Sequence, residues 1–257
     1  MFIPIHDTNA LKHIKTQWVT LAIIAVNVFA WLFSSYSSSD VSDAAVLGLG
    51  FIPAVTFDYA HLDPALQIVP DKVTVLTYAF LHLGFWHLAS NMLFLWVFGD
   101  NVEDAFGHLR FALFYMACAI AGALFHGYVS PSSEAPLIGA SGAVSGVVAA
   151  YLLLHPRVRI WVLVFMRIPI PLPAFIPLAF WIAQQFAMFA LGLEERVSWG
   201  AHVGGIIAGA ALTLFLRRPG VPLFDRTIVT PRAVERKDPA TQANLVSQTE
   251  RPSDRIR

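Results

Sequence analysis

From residue 111 to residue 156 the chain carries one acid, Glu134, and neither Lys nor Arg. Apolar runs of similar character recur along most of its length. A water-soluble domain cannot cover that much apolar side chain with polar groups. In a bilayer every backbone N–H and C=O must be satisfied internally, which leaves helices or closed barrels as spanning structures. The composition agrees: 56% of the 257 residues are hydrophobic and 13% charged, against about 25% charged in soluble domains. The formal net charge is zero, which gives no footing for nucleic-acid binding. The single cysteine, Cys118, permits no intrachain disulfide.

A spanning helix needs roughly 20 predominantly apolar residues. Six candidates satisfy this: 17–36, 82–99, 109–129, 137–155, 174–192 and 199–216. The sequence therefore predicts an all-α polytopic membrane protein with a six-span bundle over 17–216. A short segment, 1–16, precedes the bundle, and a polar tail, 217–257, too poor in apolar pattern to fold, follows it. The run 160–191 is too long for one crossing. Pro169, Pro171 and Pro173 would each break a helix interior, so 157–173 is read as an apolar loop on the membrane surface. A cleaved signal sequence is the alternative for 17–36, but Trp18, Trp31 and Phe33 and the length of the stretch argue against it. Loop 37–81 contains Phe51, Ile52, Phe57 and Tyr59, and is expected to pack on the bundle or the bilayer.

Lys and Arg set the orientation. Lys12, Lys15, Arg110, Arg157, Arg159, Arg167, Arg217 and Arg218 fall on one side of this arrangement. Only Lys72 and Arg196 fall on the other. Both termini are therefore expected on the cytoplasmic side, and a compact six-span core points to a bacterial inner membrane.

Polar side chains inside spans are costly and mark function by default. Ser141 lies near the start of the fourth span, His202 near the start of the sixth, and His87 and Asn91 in the first half of the second. At 1.5 Å per residue, Ser141 and His202 fall roughly 6–8 Å below the outer surface. Gly142 and Gly146, and Gly205 and Gly209, are each one turn apart, a spacing that lets helix backbones approach closely. Such an approach would bring the Ser141 hydroxyl to the His202 imidazole, and serine needs an adjacent base to become a nucleophile. His87 and Asn91, four apart, share a helix face. With the Ser141 amide they form a candidate oxyanion hole. No Asp or Glu lies at this depth to orient His202, so the expectation is a dyad.

These pieces resemble the rhomboid family of intramembrane serine proteases. The resemblance rests on His87-x-x-x-Asn91, on Gly139-Ala140-Ser141-Gly142, and on Ala201-His202-x-x-Gly205-x-x-x-Gly209, in the family's order. His82 and the run Gly99-Asp100-Asn101-Val102-Glu103 through Gly107 also match. It implies Ser141 as nucleophile, His202 as general base, His87, Asn91 and the Ser141 amide on the oxyanion, and Gly139 and Gly142 shaping the site. It implies single-span membrane proteins, held in lipid, as substrates, with no metal or other cofactor. The sequence departs from the family where many members have Trp-Arg in the first loop, here Lys72-Val73-Thr74-Val75. It departs again where many carry an aromatic four residues after the serine, here Ser145.

Other readings are weaker. Ser141 among glycines could be a packing residue, His202 a carbonyl-bonded histidine, and Asn91 interhelical glue. His82 is read as a structural hydrogen-bonding residue. His82, His87 and His126 make no metal-binding motif. Glu103 and Arg110 are read as a structural polar cluster, and Trp86, Trp96, Trp181 and Trp199 as carrying no separate signal. A catalytically dead, client-binding relative would lack Ser141 or His202. A transporter or channel would need polar residues continuing to the far side, where these spans offer only Tyr151 and Thr213.

Overall fold

The computed structural model describes residues 2–164, 167–192 and 197–225, and it is mostly helical. In chain order the elements are β1 (Phe2–Asp7), α1 (Trp18–Tyr36), α2 (Ser39–Leu49), α3 (Pro53–Thr56), α4 (Thr74–Thr77), α5 (Phe85–Phe106), α6 (His108–Val129), α7 (Ser141–Leu154), β2 (Arg159–Val164), β3 (Ile168–Pro173), α8 (Phe175–Ala190) and α9 (Trp199–Leu216). Two short 3-10 turns flank α4. Arg196 and residues 226–257, most of the expected tail, lie outside the described residues.

Three helices, α1, α6 and α9, are long and apolar enough to cross a bilayer. A fourth is gained if α5 is joined to the helical stretch Asp71–Phe80, from which it is bent by 83°. The expected count of six is not reached on this criterion. The apolar helices α7 and α8 have 14 and 16 residues, about 21 and 24 Å against a hydrocarbon core of about 30 Å. The bundle's outward face suits lipid: Phe29 and Phe33 on α1, Phe180 on α8 and Phe215 on α9 are all exposed, while Asn27, Asn91, Gln185 and His202 turn inward and are buried.

The centre is built from α6, α7 and α9, and backbone approach governs it. A Cβ on Gly205 would strike the carbonyl of Gly142, and one on Gly209 that of Gly146. A Cβ on Gly204 would lie 2.8 Å from the Ala121 carbonyl, and one on Gly122 2.8 Å from that of Ala201. Small residues at one-turn spacing thus do what their pattern promised.

Two departures from the sequence reading concern the end of the molecule away from Ser141. The chain is not all-α. Residues 157–173, expected as a membrane-surface loop, supply two strands of a three-stranded antiparallel sheet ordered β1-β2-β3, with Ile160 opposite Leu172 and Val162 opposite Ile170. β1 pairs with β2, with an irregularity between Pro4 and His6. Pro169, Pro171 and Pro173 do break a helix, but at a spacing of two they also suit an edge strand. There alternate residues turn their N–H positions away from the ladder, and a missing donor costs nothing. Ile160 and Val162 of β2 are fully buried, and Trp161 between them is exposed, the alternation of a half-covered sheet.

The same end is tied together by two acids on α5. Glu103, fully buried, accepts from the Val19 and Thr20 amides at 3.0 and 2.8 Å and from the Thr20 hydroxyl at 2.7 Å. It thereby caps α1, whose own N-cap residue, Gln17, makes no capping bond. Asp104 accepts from the Lys12, His13 and Ile14 amides. The structural reading of Glu103 holds, but Arg110 reaches instead toward the Leu216 carbonyl. Gly107, at φ +85°, turns α5 into α6 in one residue. The Arg218 amide donates to the last-turn Ala105 carbonyl.

Loop 37–81 packs on the bundle. Phe51 is fully buried and forms a two-way backbone bridge with Leu137 (3.0 and 2.8 Å). Where the family's Trp-Arg pair is missing, Thr77 and Tyr78 do the anchoring. The Thr77 hydroxyl donates to Leu49 O at 2.6 Å and the Tyr78 hydroxyl to Ala119 O at 2.7 Å.

Candidate active site

Ser141 is the first residue of α7. The expected span 137–155 instead puts it several residues inside a helix. That is a correction: residues 137–140 are not helical, so depth cannot be counted along them at a helical rise. What shapes this approach is Gly139, at φ +114°. Its amide donates to the Tyr78 carbonyl at 3.0 Å, and a Cβ there would lie 2.6 Å from the His87 ring. Gly139 therefore meets two conditions that side chains fail: a left-handed backbone and contact with an imidazole. Gly142 lies against the Tyr78 hydroxyl and the Ala201 carbonyl.

His202 is the fourth residue of α9 and is buried. α9 is capped by Ser198, whose hydroxyl accepts from the Ala201 amide at 3.2 Å and lies 2.8 Å from His126 Nδ1 on α6. That pairing gives His126 a structural place. Ala201 and Gly205, on either side of His202, both pack on Gly142, next to Ser141. The structure thus brings the Ser141 and His202 segments together. It does not join them: among the described residues neither the Ser141 hydroxyl nor His202 Nε2 makes a hydrogen bond. The Ser145 hydroxyl donates to the Ser141 carbonyl at 2.6 Å.

Sequence reasoning missed the surroundings of His202. Nδ1 lies 2.8 Å from Oε1 of Gln185 on α8. The Trp181 ring stacks beside the imidazole, with centroids 6.4 Å apart and planes at 26°, and Trp199 meets it edge-on at 5.7 Å and 89°. The two tryptophans set aside as uninformative are its neighbours. No sequence signal picks them out, because tryptophans recur along the apolar spans.

His87, half-buried, presents its ring to Gly139. Asn91 is buried with its amide nitrogen turned to the His87 carbonyl at 2.9 Å and to His82 Nε2 at 3.3 Å. In this arrangement the Asn91 amide nitrogen is bonded within the fold. His82 precedes α5, so the helical-face argument does not apply to it, and its ring meets that of His87 edge-on at 4.9 Å. Its Nε2 also faces the Ala140 amide at 3.5 Å, in keeping with a structural role. Among the described residues no three His, Cys, Asp or Glu side chains gather into a metal site.

Comparison with known proteins bears on the family. The chain is 33% identical over 172 residues to Rhomboid protein 1, mitochondrial, of Saccharomyces cerevisiae, covering 65% of this chain and 49% of that one. It is 30% identical over 161 residues to RHOMBOID-like protein 12, mitochondrial, of Arabidopsis thaliana, covering 56% and 46%. It is 34% identical over 156 residues to Rhomboid protease GluP of Bacillus subtilis, covering 61% and 28%. The chain spans about half the length, or less, of these curated relatives. Two of the three are mitochondrial by name, so the expected bacterial inner membrane finds no support in them. The protein is an integral membrane protein. Residues 70–219, more than half of the chain, match the Rhomboid domain, and the protein belongs to the rhomboid family.

Proposed function

We propose that this chain is an intramembrane serine endopeptidase that cleaves single-span membrane proteins near the bilayer surface on the Ser141 side. The observation that carries the proposal is the contact of Gly142, next to Ser141, with Ala201, next to His202, and with Gly205. A relative named as a rhomboid protease adds support. In the proposed reaction the Ser141 hydroxyl gives its proton to His202 Nε2 as its oxygen attacks the scissile carbonyl carbon. The oxyanion that forms takes hydrogen bonds from the Ser141 amide and from His87 and Asn91. For this, Asn91 must exchange its bonds to His82 and the His87 carbonyl for the oxyanion. The intermediate collapses with loss of the amine, which takes the proton from His202. Water then hydrolyses the acyl-serine by the same steps in reverse order.

The same proposal takes α7 and α8 as the remaining two of six crossings, with the loops that flank them completing their length. The Lys and Arg distribution then places both termini in the cytoplasm, and the site opens on the opposite face. The test is cleavage of a generic single-span substrate by purified, lipid-reconstituted protein. Wild type should cut, and Ser141→Ala and His202→Ala should fall to background. Cleavage that survives Ser141→Ala removes the mechanism, and a wild type that cuts none of several substrates favours a client-binding role.

A further inference from the structure

Gln185 stands out in α8. It is 2% exposed, in a helix whose other glutamine, Gln184, faces outward. A buried amide in an apolar helix must be satisfied at both ends, and this one is. Its nitrogen donates to the Trp181 carbonyl, one turn earlier, at 3.0 Å, and its oxygen lies 2.8 Å from His202 Nδ1.

The first bond decides the chemistry of the second. The Trp181 carbonyl can only accept, so the amide end facing it must be the NH2 group. The opposite orientation would set two acceptors against each other. The end facing His202 is therefore the carbonyl oxygen, which also can only accept, and Nδ1 must carry the hydrogen. In a neutral imidazole Nε2 is then the nitrogen with the free lone pair. The flanking rings of Trp181 and Trp199 restrict rotation of the imidazole about this bond.

We infer that Gln185 is a positioning residue: its carbonyl oxygen holds His202 in the Nδ1–H tautomer and leaves Nε2 to receive the Ser141 proton, an inference that rests on the hydrolytic reading above. The bond survives the proton transfer, because Nδ1 is a donor in the neutral ring and in the imidazolium alike. A neutral acceptor suits the site, since a carboxylate there would be a buried charge without an ionic partner.

The test has two arms on the full chain in lipid. The first uses protein labelled with 15N-histidine, with the His202 signals assigned by their loss in His202→Ala, and reads the tautomer without any need for activity. Wild type is expected to show Nδ1 protonated and Nε2 not, and Gln185→Leu a mixture. An Nε2-protonated His202 in wild type, or the same single tautomer in Gln185→Leu, overturns the inference. The second arm compares kcat and KM for Gln185→Leu and Gln185→Glu. Gln185→Leu should lose 10- to 100-fold in kcat with little change in KM. Gln185→Glu in its neutral carboxyl form keeps both a donor to the Trp181 carbonyl and an oxygen acceptor for Nδ1, and should recover most of that loss. Equal kcat in wild type and Gln185→Leu refutes a positioning role. If Gln185→Leu does not fold, Gln185→Glu and the wild-type spectrum still decide. Failure of the hydrolytic reading is separate and is seen as wild type that neither cuts substrate nor takes a fluorophosphonate label at Ser141.

Discussion

Gly139 is the position where a single added methyl group does most damage, because its backbone angle and the His87 ring both exclude a side chain. Gly139→Ala should lose at least tenfold in cleavage and about 1–3 kcal/mol in stability, read by substrate turnover and thermal unfolding in detergent. Asp7 makes a different kind of prediction. Its carboxylate is buried, accepting from the Tyr151 hydroxyl and the Asn101 amide at 2.7 and 2.9 Å, and burial pushes its pKa up to about 6. The unfolded chain releases that proton near the ordinary carboxylate value of about 4. Between these values the folded state binds more protons, so its stability falls as pH rises from about 4 to 6 and is regained on acidification. Asp7→Asn should lessen the pH dependence of the unfolding free energy across that window. The candidate dyad was legible because Ser141 and His202 sit in dense glycine motifs. Gln185 was not, since nothing in the sequence distinguishes it from Gln184 until the rotation of α8 about its axis is known.

At the level of elements, the packing of α7 on α9 is the contact most exposed to test. Gly205→Val would drive a branched side chain into the Gly142 carbonyl, and overpacking of this kind costs about 1–3 kcal/mol. It should lower the unfolding temperature and abolish cleavage. Ile207→Val, on the exposed side of the same helix, should leave both unchanged. Helix positions were readable because apolar length and small-residue spacing are local signals. The sheet was not, although its evidence was present: prolines at every second residue were read only as helix breakers, while the same period suits an edge strand. The partner strand β1 lies more than 150 residues earlier in the chain, at Phe2–Asp7, and no local pattern announces that pairing. The length of α7 was also misjudged, because 137–140 is as apolar as a helix but is held open by Tyr78 and Phe51.

For the molecule as a whole, the densest polar groupings among the described residues lie at two ends. Between them the Thr213 hydroxyl bonds back to Gly209 O, as that of Ser145 does to Ser141 O. A continuous water path is therefore not expected. Cys118, the sole cysteine, is buried, which permits cysteine mapping on a Cys118→Ser background. A water-soluble maleimide should label Ser141→Cys readily, and Val148→Cys and Thr213→Cys at least tenfold more slowly. Comparable rates at all three would mean a conduit. The glycine seam also has a mechanical meaning. Where α7 and α9 meet, backbone touches backbone, with no rotamer between them to relax. The distance from the Ser141 main chain to the His202 main chain is therefore set by atomic radii, as by a hard stop. Changes in lipid thickness or in side-chain packing elsewhere can tilt the two helices together, but they cannot press them closer.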